Sequence, residues 1–257
     1  MNDAITDWRG RRVWIIGASS GIGAALVRRL HAAGALLALS ARGSDALHQL
    51  AQDWSEVLVL PLDVSAPEAC NGPLANILAR WGGVDVVFFL AGTYKPVHAW
   101  QLDAEEAQAS IATNLTGVIA GVAALMPTIL DQGSGALVLV SSVAGYRGLP
   151  KSLVYGASKA GLINFAETLY QDLHGKGISV FLVNPGFVAT PMTQQNDFHM
   201  PALIDADDAA KRILDGMARG RFEIHFPKRF TLWLKLLRLL PYRWYFAIVR
   251  RVMRGRP

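Results

Sequence analysis

Tyr155 and Lys159 stand four residues apart in the stretch 154–173, whose apolar spacing predicts a helix. Residues four apart lie on one helical face, so the phenol and the ammonium reach the same spot. A free phenol has a pKa of about 10, too high for a base at neutral pH. A neighbouring ammonium favours the phenolate, and a fall of about three units takes roughly 4 kcal/mol of differential interaction. A phenol tuned in this way is a general acid or base. Such a pair is common by chance, and its surroundings give it meaning. Ser142 stands thirteen residues before Tyr155, at the end of a predicted strand, 136–141. That edge of an open α/β sheet is where ligands sit. Asn114 falls inside a long helical pattern, 104–130. Asn is a poor interior helix residue because its side chain competes for backbone bonds.

A second group of residues could hold a phosphate. Gly17-Ala18-Ser19-Ser20-Gly21-Ile22-Gly23 joins the apolar run 12–16 to a helical pattern, 22–33. Gly17 permits a tight turn, Gly21 lets the backbone approach a phosphate, and Gly23 lets the helix pack close to the sheet. The helix N-terminus offers free N–H groups and a positive dipole end to a pyrophosphate. The second apolar run ends in Leu39-Ser40-Ala41-Arg42-Gly43. A carboxylate there would bind a ribose 2′-hydroxyl; this chain has Arg42, which matches a 2′-phosphate, and Ser19 could add a hydroxyl. The pattern expects NADP (NADPH) rather than NAD.

These groups need elements to position them. Runs 12–16, 36–40, 57–60, 85–90, 136–141 and 178–183 are rich in Val, Ile, Leu and Phe at successive positions. That is the pattern of strands covered on both faces. Helical patterns at 22–33, 44–54, 67–81, 104–130, 154–173 and 207–218 separate them, and a last short strand is expected at 222–225. The alternation implies right-handed crossovers and an α/β, doubly wound parallel sheet, a Rossmann fold. The stretch 187–205 has no clear period, and loops of that length are usually functional.

The glycine spacing and the string Ser141-Ser142-Val143-Ala144-Gly145 followed by Tyr155-Gly156-Ala157-Ser158-Lys159 closely resemble the short-chain dehydrogenase/reductase family. The resemblance covers about 12–226. It implies hydride transfer between a nicotinamide and a carbonyl or alcohol by a catalytic set of Asn114, Ser142, Tyr155 and Lys159. Tyr155 would move the proton, Lys159 would hold the nicotinamide ribose and lower the tyrosine pKa, and Ser142 would steady the substrate oxygen. Asn114 would support a water leading protons to the lysine, and Ser141 would be structural. The cofactor set would be Gly17, Ser19, Ser20, Gly21, Ile22, Gly23, Arg42, Asp63, Val64, Ala91, Gly92, Tyr155, Lys159, Pro185, Gly186, Val188 and Thr190. Three departures stand out: Ile16 replaces the usual Thr, Phe89-Leu90 replaces two Asn residues before Ala91-Gly92, and Ser20 stands where some NADP-dependent members are basic. Substrate contacts are expected in 92–100, 144–152 and 187–205. A homodimer or homotetramer is implied.

Hydrophobic residues make up 52% of the 257 positions and charged ones 18%, which argues against disorder and for one well-filled core. A single cysteine, Cys70, allows no internal disulfide, so a cytoplasmic location is expected. The six His residues are scattered without ligand spacing, and no metal site is expected. The polar start lacks a signal-like apolar core. No run of about 18 uncharged apolar residues is seen, so no spanning helix is expected. The net charge is +5, but 228–257 holds nine Lys or Arg and no Asp or Glu, leaving 16 basic and 20 acidic residues before it. The chain therefore divides into a catalytic domain, 1–227, and a basic helical tail, 228–257. The tail reads as two amphipathic pieces broken at Pro241. Thr231, Lys235 and Arg238 share one face of the first, away from Leu232, Trp233, Leu236, Leu237 and Leu240. Arg243, Arg250 and Arg254 oppose Trp244, Tyr245, Ile248 and Val252 in the second. Such helices lie on anionic membranes, which would make the protein peripheral there, or pack on their own domain, capping a cleft for an apolar or lipid-like substrate, or on a sister subunit. Nucleic acid is not expected.

Overall fold

A computed structural model describes residues 2–195 and 200–254. The expectation for His199, and those for the side chains of Val252 and Arg254, lie outside the described residues and side chains.

The apolar runs form seven strands: β1 (Arg12–Ile16), β2 (Leu36–Ser40), β3 (Leu58–Val59), β4 (Val86–Phe89), β5 (Gly135–Val140), β6 (Ile178–Pro185) and β7 (Glu223–Phe226). They make one parallel sheet in the order β3-β2-β1-β4-β5-β6-β7. Each crossover carries a helix: α1 (Gly21–Ala32), α2 (Ser44–Ala51), α3 (Asn71–Trp81), α4 (Ala104–Ile111) continuing into α5 (Gly117–Gln132), α6 (Leu153–Leu173) and α7 (Ala206–Met217). Helices α1, α2 and α7 bury Leu26, Leu47 and Ile213 on one face of the sheet. Helices α3, α5 and α6 bury Ile77, Val122 and Leu162 on the other. This is the doubly wound single domain expected from the alternation.

Several expected boundaries move. The helix expected over 67–81 begins at Asn71, because Glu68 takes a left-handed φ of 56° in a turn before it. The pattern 104–130 is one helical column, interrupted by a π turn at Ala112–Thr116. The stretch 104–132 is long and apolar enough to cross a membrane by length and composition, although no spanning helix was expected. It is the β4–β5 crossover, and it lays Val118, Val122, Leu125 and Ile129 on the sheet. The polar start also does more than its composition suggested. Ile5 and Trp8 enter the core, and the Asn2 side-chain amide pairs both ways with the Val180 backbone, at 2.6 and 3.0 Å.

The tail begins after β7 and forms α8 (Lys228–Arg238) and α9 (Tyr242–Arg254). Helix α8 turns a mixed face inward, with Phe230 and Leu234 on the core beside Thr231 and Lys235. Thr231 is fully buried, its hydroxyl 2.6 Å from His225 Nδ1, and Lys235 pairs with Glu223. Arg147 donates to the carbonyls of Leu237 (2.9 Å), Arg238 (3.2 Å) and Leu240 (2.7 Å), the end of α8. A cation at a helix C-terminus is favourable there. The same guanidinium lies over the rings of Tyr242 and Tyr245. Tyr245 is buried and donates to the Gly148 carbonyl at 2.8 Å.

Candidate active site

The strand order reverses at β1, with β2 on one side and β4 on the other. A cleft at the C-terminal strand ends is expected at such a switch point. A cavity of about 580 Å³ occupies it, lined by the ends of β1, β2, β4, β5 and β6 and the loops that follow them.

The glycine turn forms one wall. Gly17 has φ +101°, and a Cβ there would come within 2.5 Å of the Ala91 amide nitrogen. A Cβ on Gly23 would fall 2.0 Å from the Gly17 carbonyl oxygen, and one on Gly21 would meet Thr190 Cγ2 at 2.9 Å. Gly17 and Ala18 donate to the Ser40 carbonyl, at 2.7 and 3.1 Å, which fixes the turn against β2. Ser20 caps α1 with extended backbone and no side-chain bond to its amides. The first residues of α1 line the cavity, so their N–H groups can meet a ligand instead. The turn thus fits a dinucleotide pyrophosphate.

Ser19, Ser20, Ile22, Ala41, Arg42 and Gly43 extend this wall, with Asp63 and Val64 beside them. Bonds from the Ser65 hydroxyl and amide, with Arg42 adding attraction, hold the Asp63 carboxyl below its ordinary range. Ala91, Gly92, Pro185, Gly186, Val188 and Thr190 line the opposite part. The aperiodic segment after Gly186 is tied at its base. Ala189 donates to the Ile204 carbonyl (2.8 Å), and the Thr193 hydroxyl donates to the Val188 carbonyl (2.7 Å). The Phe89-Leu90 departure is accommodated by packing and backbone. Phe89 is buried against Gly121, and Leu90 and Ala91 both donate to the Ile16 carbonyl, at 2.8 and 2.9 Å.

Ser142, Tyr155 and Lys159 meet at the inner end of the cavity. Ser142 follows β5 in extended conformation, accepts from the Ala144 amide at 3.1 Å and shares a hydrogen bond with Tyr155. Lys159 is buried one turn along α6, and its Nζ donates to the Val140 carbonyl at 2.9 Å. Ser141 donates to the Lys159 carbonyl at 2.8 Å, tying the α6 backbone to the end of β5. Asn114 does not line the cavity; it is wholly buried behind it in the π turn. Its side chain accepts from Thr93 N and donates to Thr93 O, each at 2.8 Å, and so clamps the strand extension after β4. A Cβ on Gly92 would lie 3.1 Å from Asn114 Oδ1 and 3.7 Å from Lys159 Nζ, so Gly92, Asn114 and Lys159 are neighbours.

The electrostatics depart from one expectation. Burial pushes the Tyr155 hydroxyl up to about 12; the Ser142 bond opposes this and Tyr94 adds to it. Burial pushes the Lys159 ammonium down to about 8. The lysine Nζ stands 5.8 Å from the centroid of the tyrosine ring. The protein alone therefore does not lower the phenol, because desolvation outweighs a cation at that distance.

Tyr94 is a residue that sequence reasoning reached only as part of 92–100. Its ring meets Tyr155 edge-on, centroids 4.9 Å apart. A second cavity of about 220 Å³ continues past Tyr155 between Thr93, Lys95, Val97, Leu102, Asp103, Glu106 and Val154. The part contributed by α4 and its cap was not foreseen, since nothing in an amphipathic helix start marks it as a wall.

A parallel sheet with a glycine turn at its switch point and a Ser–Tyr–Lys group at the strand ends defines a nicotinamide-dependent oxidoreductase of Rossmann architecture. The chain belongs to the short chain dehydrogenase family, whose sequence model matches residues 11–200, and is an NAD(P)-dependent dehydrogenase/reductase. An oxidoreductase of Myxococcus xanthus (strain DK1622) is 35% identical over 246 residues, covering 94% of this chain and 97% of that one. Another from Streptomyces coelicolor is 35% identical over 239 residues, covering 90% and 93%. The crystal structure of a short chain dehydrogenase/reductase from Burkholderia phymatum, in complex with NAD, superposes with a TM-score of 0.83. It is 25% identical and covers 90% of this chain and 94% of that one.

Proposed function

We propose that the protein is an NADPH-dependent carbonyl reductase, reversible as an alcohol dehydrogenase, in which Tyr155 transfers the proton. The observation that carries this reading is the meeting of Ser142, Tyr155 and buried Lys159 at the inner end of the cavity walled by the glycine turn. When bound, the nicotinamide supplies the hydride to the carbonyl carbon. Ser142 holds the carbonyl oxygen, and Tyr155 gives that oxygen its proton, leaving an alcohol. A phenol held near 12 stays protonated at neutral pH, the form the reductive step needs. Lys159 would hold a ribose hydroxyl of the bound cofactor, and Asn114 positions the Gly92–Thr93 backbone beside that lysine. A nucleotide-binding scaffold without turnover would need the glycine turn but not this group.

NADP is favoured over NAD by Arg42, exposed on the cavity wall at the end of β2. The substrate is an apolar or lipid-like carbonyl or alcohol. Val97, Leu102 and Val154 line the second cavity, and the Lys95–Glu106 pair neutralises the charge of those two residues there. The protein acts as a homodimer or homotetramer. Supporting this, α5 leaves Ile119, Ala120, Ala123 and Leu130 exposed along its outer face. Cys70 is buried and free, its thiol pushed up to about 11, consistent with the cytoplasm.

The test is direct. NADPH and NADH are each incubated with the protein and a series of aliphatic and aromatic aldehydes and ketones, following loss of reduced-nicotinamide absorbance. The reading expects NADPH oxidation that requires a carbonyl. Tight NADPH binding with no turnover across the series would instead support the scaffold.

A further inference from the structure

We propose that α8 and α9 form a rigid platform that docks the enzyme on a bilayer rich in anionic lipid. The orientation of α8 motivates this. An amphipathic helix normally buries its apolar face; here the inward face is mixed, Phe230 and Leu234 packing on the core beside Thr231, bonded to His225, and Lys235, paired with Glu223, so most of the apolar side chains are left outside. The outward face is Leu232, Trp233, Leu236 and Leu239, at 54%, 68%, 53% and 80% exposed, and α9 adds Trp244 and Phe246. An apolar surface of this extent signals an interaction site. The arrangement is held, not loose, because Arg147 ties the end of α8 and Tyr245 ties α9 to the Gly148 loop.

Charge selects the occupant. Lys228, Arg229, Arg238, Arg243, Arg250 and Arg251 are exposed among the apolar side chains, and residues 228–257 contain no carboxylate side chain. A second copy docking through the same face would bring these cations against each other with no acid to pair them. Anionic headgroups are their complement, each basic residue adding attraction near the surface. Trp rings suit the headgroup depth, and leucines enter the acyl boundary. The platform adjoins the cleft: Phe230, in the first turn of α8, touches the segment after Gly186, its ring centroid 5.5 Å from that of Phe187.

The experiment is flotation of the full chain with vesicles of phosphatidylcholine alone, and of phosphatidylcholine and phosphatidylglycerol in equal parts. Three forms are compared: the natural chain, Trp233→Ser with Trp244→Ser, and Arg243→Glu with Arg251→Glu. NADPH affinity and sedimentation of each form in lipid-free buffer are measured in parallel; retained NADPH affinity marks a folded protein. The proposal expects the natural chain to float with the anionic vesicles only, and to release in high salt, where screening shortens to ~3 Å at 1 M. Each variant should partition at least about tenfold less, as follows from removing two basic or two interfacial anchors. Equal flotation of all three forms overturns it, as does no flotation of the natural chain. Loss confined to the Arg variant points to binding of a polyanion such as nucleic acid without insertion, and overturns it. A tryptophan variant that falls into smaller oligomers without any vesicle binding by the natural chain assigns the face to a second copy, and overturns it too.

Discussion

Tyr155 and Lys159 stand one turn apart on α6, Nζ 5.8 Å from the ring centroid, and burial pushes both toward their neutral forms. For the lysine this gives a pH signature. Below about 8 its ammonium is present to hold a ribose hydroxyl and favour proton movement; above it, the charge is lost. The kcat/KM for carbonyl reduction should therefore be level at neutral pH and decline through about pH 8, and in Lys159→Met the residual rate should show no break there. The sign for stability is the reverse. A depressed folded-state pKa means that the unfolded chain binds more protons, so Lys159 costs stability below about 8 and that cost fades toward pH 10.5. At the other end of the cavity, Arg42→Asp should weaken NADPH far more than NADH, because a like charge replaces a partner of the 2′-phosphate. Two dissociation constants for each protein check it; a natural chain that prefers NADH would refute the role given to Arg42. These residues were legible because their chemistry depends on spacing along one element, four residues in α6 and seven in the glycine turn. Tyr94 was not, since its edge-on contact with Tyr155 depends on where a loop happens to lie.

Elements convert those spacings into geometry, and glycines set the tolerances. Gly23→Ala would drive a methyl into the Gly17 carbonyl, so the turn must move. A shift of ~1 Å in such a wall is enough for roughly a 10²-fold loss of turnover. Gly72, in α3, meets nothing within 4 Å, and Gly72→Ala should instead add ~0.5 kcal/mol of stability with cofactor affinity unchanged. Thermal unfolding and NADPH titration of the two variants separate the cases. The central strands were readable because doubly covered strands are apolar at nearly every position. The π turn was not. The pattern 104–130 keeps a helical period through it, and the one clue was an Asn at position 114, whose bonds to Thr93 account for the bulge.

At the scale of the molecule, the basic and apolar character of residues 228–257 was plain in the sequence, but which face turns inward was not. That choice is made by bonds to Glu223 and His225 in β7, just before the tail, and to Arg147, some ninety residues back in the chain. Arg147→Ala should loosen α8 and α9, costing about 1–2 kcal/mol in the hydrogen exchange of that region, while NADPH binding is retained. The whole assembly exists, on this account, to bring a carbonyl to Tyr155 beside a bound nicotinamide. Tyr155→Phe keeps the ring and the cavity and removes the transferable proton. Rapid mixing of NADPH-loaded protein with a carbonyl that the natural chain reduces measures the transfer directly. The account predicts a rate lowered by roughly 10²–10⁴-fold with the NADPH dissociation constant unchanged; a near-normal rate in this variant would contradict it.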